Sequence, residues 1–151
     1  VRTEAYLTPA IFEVYASHGI GQVLSHWTWL PSLVSQYLKS GARFLNAGGQ
    51  SVIRLMTPRG MRYEEAFAKA FPFDRLVPGM AQPQMLEDTV RLAWEGVAEG
   101  VVMNVIINNR AGGNAPLLAR AIADRFRSLG PESAPSRVQD SSSDRGSPPP
   151  P

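Results

Sequence analysis

Residues 101–110 read VVMNVIINNR, a mostly β-branched apolar run that stops on two amides and a guanidinium, then passes through Gly112-Gly113-Asn114 into a helical pattern. A continuous apolar run of this length suits a strand buried on both faces, the habit of parallel sheets covered by helices. In such sheets ligands collect where strands end and loops begin, so the segment that limits the fold class also points to a candidate site.

The rest of the chain repeats the same pattern. Thr8-Pro9 supplies an N-cap hydroxyl and a first-turn proline for a helix that carries Phe12, Tyr15 and Ala16 on one face as far as His18-Gly19. A strand is expected over residues 20–25. A second helix follows from Pro31 to Ser40-Gly41 with Val34, Tyr37 and Leu38 as its stripe, then a strand over residues 52–56. Residues 57–82 exceed the usual connection of about four to six residues; they hold a short helix over 63–70 and then the turn-rich FPFDRLVPG. Pro83 opens a long helix closed by Gly100, with Leu86, Val90, Ala93 and Val97 assigned inward and Glu87, Asp88, Arg91 and Glu95 outward. A last helix starts at Asn114, with Leu118, Ile122, Phe126 and Leu129 along one side. One helix, then strand and helix three times over, predicts an α/β fold with a parallel sheet.

An apolar content of 44%, with three Trp, six Phe and four Tyr, supports one packed domain, placed over residues 1–129. Residues 130–151 are rich in Pro and Ser, end in a proline run and are expected to be a disordered tail. There is neither a membrane-length apolar stretch nor a signal segment, so a cytoplasmic protein without a membrane partner is expected. The absence of cysteine excludes disulfides and thiolate chemistry. Lys39 and Lys69 are the only lysines, and an arginine-weighted balance suits bidentate binding of phosphate or carboxylate. A net charge of +2 with scattered arginines makes no basic stripe and speaks against nucleic acid as a direct partner.

Two features suggest part of a larger fold. The chain begins Val1-Arg2 without an initiator Met, and three βα units are about half of an eight-unit barrel, which needs roughly 250 residues. A half-barrel would leave two sheet edges for a complementary half, or for a second copy, to cover.

The segments VRTEAYLTP, VLSHWTWLPSL, VIRLMTPRGMRYEEAF, FPFDRLV and IINNRAGGNAPLLARAI follow one another in an order and spacing similar to the C-terminal half of the YecE-like family, domain of unknown function 72. The resemblance implies a TIM-type (β/α)8 barrel, represented here by about its C-terminal half. Arg2 falls on the basic residue that ends the family's E-x-R strand, Arg54 on the Arg of its R-L-H-G-like strand, and Asn108 and Asn109 on its N-N-H. Met56-Thr57 follows the R-L pair without a histidine, and Arg110 stands where the family has His, so roles resting on those histidines do not carry over. The family brings no settled activity, and no cofactor is assigned.

The candidate site combines these residues. Arg2, Arg54 and Arg110 would hold an anionic ligand, with Arg59 and Arg62 on the same rim, and Asn108 or Asn109 would orient it. A guanidinium within a barrel strand must otherwise pair with a carboxylate. His26, just after the first expected strand, is the sole acid–base candidate. Trp27 beside it either stacks on a ligand or packs. The asparagines have a second reading as caps before Gly112-Gly113, and the amides of the last helix are a candidate phosphate site. Two histidines and no carboxylate at a strand end give no metal site. The expected function is binding of a small anionic ligand, with hydrolase chemistry only by analogy to other barrels. The alternative is a non-catalytic fragment that binds ligand or a complementary barrel half.

Overall fold

The computed structural model describes residues 1–130. The expected Pro/Ser-rich tail, apart from Gly130, lies outside the described residues. In chain order the elements are α1 (Pro9–Ser17), β1 (Val23–His26), α2 (Leu33–Lys39), β2 (Gln50–Leu55), α3 (Tyr63–Ala70), α4 (Pro83–Ala98), β3 (Val102–Ile107) and α5 (Ala115–Leu129). Single 3-10 turns span Glu4–Tyr6 and Asn109–Ala111.

Prolines and polar caps fix the helix starts. Pro9, Pro83 and Pro116 sit in first turns, where a missing N–H costs nothing. Ser32 accepts from the Ser35 N–H at 3.1 Å, and Asn114 accepts from the Leu117 N–H at 2.8 Å. The first strand begins later than expected because residues 20–22 belong to a loop. The Ile20 N–H closes α1 on the Tyr15 carbonyl, Gly19 turns the chain at φ 61°, and the Gln22 N–H bonds the Leu45 carbonyl.

The strands form a parallel sheet in the order β1-β2-β3, with Ser25 opposite Arg54 and Arg54 opposite Ile106. The α/β class and the parallel sheet are therefore as expected. The described sheet is open, with β1 and β3 at its edges. Part of the β1 edge is closed by a side chain: the Gln36 amide accepts from the Ser25 N–H at 3.0 Å and donates to the Ser25 carbonyl at 2.8 Å.

Alternation along the strands sorts the two faces. Leu24, Ile53 and Leu55 are buried in one cluster with Leu33 of α2, Met85 and Leu92 of α4 and Leu118 of α5. The other face carries Arg54, Val102, Asn104 and Ile106, all exposed. Only one face of the sheet is thus covered by helices.

The expected orientation of α4 needs correction. Asp88 and Glu95, assigned outward, are 4% and 8% exposed, whereas Val97, assigned inward, is 58% exposed. Both acids are held by α2. Asp88 accepts from the Val34 N–H at 3.2 Å in the first turn of α2, and Glu95 lies 3.5 Å from the Tyr37 hydroxyl. That hydroxyl donates to Glu99 at 2.7 Å; its burial, with the two carboxylates, pushes its pKa above the usual tyrosine range. A periodicity count treats every acid as a solvated residue and so rotates the helix.

Candidate functional site

His26 ends β1 with the same parity as Leu24, so its imidazole lies on the helix-covered face and is 3% exposed. Gln82, the last residue before α4, reaches across to it with Oε1 3.0 Å from His26 Nε2. The same oxygen accepts from the Arg59 N–H at 3.0 Å, while Gln82 Nε2 donates to the Arg59 carbonyl at 3.1 Å. An amide oxygen only accepts, so His26 carries a proton on Nε2. Burial pulls the imidazole pKa below its ordinary 6.5; the nearby Arg59 charge adds to this, and Gln82 and Asp88 oppose it. The shift favours the neutral imidazole.

Beside this pair opens a cavity of about 400 Å³ lined by His26, Ser32, Arg59, Gln82, Gln84 and Asp88. It lies at the C-terminal end of β1, the end at which open parallel sheets take ligands. Asp88 is already engaged by the Val34 N–H and by Gln84 Nε2 at 2.6 Å. Arg59 is exposed and forms no ion pair among the described residues. The lining therefore offers an uncommitted cation, a neutral imidazole and amide and hydroxyl groups, chemistry suited to a small anion.

The residues expected to form the site do not converge. Arg2 lies exposed in the N-terminal coil and ends no strand among the described residues, which corrects the expectation that it ends one beside the strand of Arg54. Arg54 projects from the helix-free face, opposite to His26, because Ser25 pairs with Arg54 while His26 pairs with Leu55. It is exposed and has no carboxylate within ion-pair distance among the described residues. Trp27 is half-buried in the turn after β1.

The asparagines cap turns. Asn108 donates its N–H to the Leu55 carbonyl at 2.9 Å, and its Oδ1 accepts from the Arg110 N–H at 3.0 Å. Asn109 Oδ1 accepts from the Ala115 N–H at 2.8 Å. With Leu117 bonded to Asn114 and Pro116 lacking an N–H, the first turn of α5 has no amide left for an anion. The expected phosphate site there is overturned. Arg110 stacks its guanidinium 4.2 Å from the Tyr63 ring centroid, with Nε buried and unpartnered.

Among the described residues, no group of three or more His, Asp or Glu comes together to hold a metal ion. Nor is any described helix long and apolar enough to cross a membrane. Comparison of the chain with protein-family models, with curated proteins and with solved structures found no match.

From the sequence, Arg59 stands only on the rim of the expected site, and Gln82 and Asp88 are not singled out for it at all. The signal that could have found them is the Gln-Pro step opening a helix directly after a long insertion, with Gln84 and Asp88 four residues apart on one helix face.

Proposed function

We propose that this chain is a YecE-like α/β domain, part of a (β/α)8 barrel, that binds a small phosphate- or carboxylate-bearing ligand in the cavity beyond β1. The observation that carries the reading is the Gln82 amide, which holds the Arg59 backbone and the His26 imidazole at one wall of that cavity. Arg59 supplies the charge, and Gln84, with one amide hydrogen on Asp88, supplies its second as a donor. His26, its Nε2 proton held by Gln82, is the acid–base candidate of this wall. The five-segment resemblance and the sequential parallel order of three strands support the barrel assignment.

Titration of inorganic phosphate and of a short dicarboxylate into the full chain, followed by amide NMR, tests the ligand class. The shifts should centre on Arg59, Gln82 and Gln84, and Arg59→Ala should weaken binding by about tenfold or more. Shifts centred on Arg54, or affinity unchanged in Arg59→Ala, would remove this assignment.

A second, non-catalytic reading rests on the outer edge of β3. Beside it an apolar groove of about 610 Å³ runs between α4 and α5, lined by Val97, Val101, Met103, Val105 and Phe126 among others. A complementary barrel half that adds a strand to β3 would fill this groove. Light scattering that finds an unassociated chain, together with no binding to a polypeptide carrying the other barrel units, would exclude it.

A further inference from the structure

α3 is built inside out. It buries the small Ala66 and Ala70, while Tyr63 and Phe67, and Phe71 just past its end, are 54%, 43% and 65% exposed. Spaced four residues apart, the three rings stand in a row, with centroids 6.4 and 6.3 Å apart and planes 15° and 24° from parallel. Phe73 braces the row from the side, edge-on to Phe67 at 5.3 Å and to Phe71 at 6.0 Å. At the far end Arg110 lies over Tyr63, and Arg62 stands at the N-cap of α3. Neither guanidinium has a carboxylate within ion-pair distance among the described residues. Singly exposed apolar residues are ordinary, whereas these three form one contiguous aromatic row.

We propose that this row is a stacking platform for the bases of a single-stranded nucleic acid, with Arg62 and Arg110 meeting its phosphates. The ring spacing selects the occupant. A centroid-to-centroid separation of 6.3–6.4 Å is close to twice the roughly 3.4 Å rise between stacked bases. A strand with its bases pulled apart can therefore meet one protein ring per base. A polyproline helix presents the same face only every three residues, about 9.3 Å, and would lose register by the third ring. Around the row Arg62 and Arg110 have no carboxylate partner among the described residues, while on α3 Glu65 is paired with Lys69 and Glu64 is the one acid left to oppose a phosphate backbone. The net charge of +2 gives little counterion release, so stacking dominates and the salt dependence is shallow. None of these residues lines the cavity beside His26, and the two proposals stand or fall separately.

Fluorescence anisotropy of a short labelled oligothymidylate with the full chain provides the test. Tyr63→Leu and Phe71→Leu keep apolar bulk but lose the π face, and each should weaken binding by about 5- to 100-fold. The tryptophans lie outside the row, so their near-UV circular dichroism reports independently that both variants are folded. Binding of the same sequence as a duplex should be weaker than that of the single strand. Absence of oligothymidylate binding, affinity retained by both folded variants, or preference for a proline-rich peptide would each overturn the proposal.

Discussion

Gln82 Oε1 lies 3.0 Å from His26 Nε2 and 3.0 Å from the Arg59 nitrogen, so one amide ties together the end of β1, the loop after β2 and the start of α4. Gln82→Ala leaves the buried His26 N–H without its acceptor, which should cost about 1–3 kcal/mol of stability in urea unfolding. Gln82→Glu places a negative charge against the imidazole and favours its protonated form. In an NMR titration the His26 midpoint should therefore rise above the wild-type value; a midpoint that stays put would show that the pair does not form in solution.

His26 also gives stability a pH dependence of defined sign. Burial holds its folded pKa below the 6.5 it returns to on unfolding. Well above 6.5 the imidazole is neutral in both states and carries no pH dependence. As pH falls from 6.5 toward the folded pKa, the unfolded state binds the proton first and the native state loses stability. His26→Gln removes this titration and leaves the carboxylates unchanged. The stability difference between wild type and variant should then shift against wild type on going from pH 7 to pH 5, and a constant difference would show that the folded pKa of His26 is not lowered.

The α/β class and most helix boundaries were legible in the sequence because prolines, caps and apolar spacing act locally; the exception is α2, which starts at Leu33 behind the Ser32 cap and not at Pro31 as expected. Pro83 opens α4, and residues 63–70 form the expected α3. The site was less legible because it depends on which face a strand residue uses and on contacts distant in sequence. His26 and Arg54 both follow from strand assignments, yet parity sends them to opposite faces, which a small change in the start of β1 was enough to hide. Asp88 and Glu95 resemble solvated helix acids, and only the placement of α2 makes them buried acceptors. Gln82 finds His26 across 56 residues of chain, beyond the reach of any local pattern.

The asparagines of the strand end contribute to stability as caps. Asn114 accepts from the Leu117 N–H and also donates to the Phe73 carbonyl at 2.7 Å, joining α5 to the loop after α3. Asn114→Ala should cost about 1–2 kcal/mol, and Asn109→Ala somewhat less because it loses the single bond to Ala115. Urea unfolding measures both. Phosphate affinity of the cavity beside His26 should not change in either variant, since neither residue lines it.

Gly113 separates conformational cost from collision. Its φ of 101° is disfavoured for any side chain, and an added Cβ would strike the Arg75 carbonyl and approach the Val77 side chain at 2.7 Å. Those atoms belong to the long connection that rests against the start of α5, where the Val77 N–H bonds the Gly112 carbonyl at 2.9 Å. Gly41 has a comparable positive φ of 83°, but a methyl group added there would meet nothing within 4 Å. Gly41→Ala should therefore carry only the left-handed cost of about 1–2 kcal/mol. Gly113→Ala adds overpacking against backbone and should cost about 3 kcal/mol or more. Paired thermal or urea unfolding of the two variants reads the difference. Equal losses would mean that the connection moves aside freely and that this glycine serves only the turn, whereas a larger loss at Gly113 ties the glycine pair to packing against the connection.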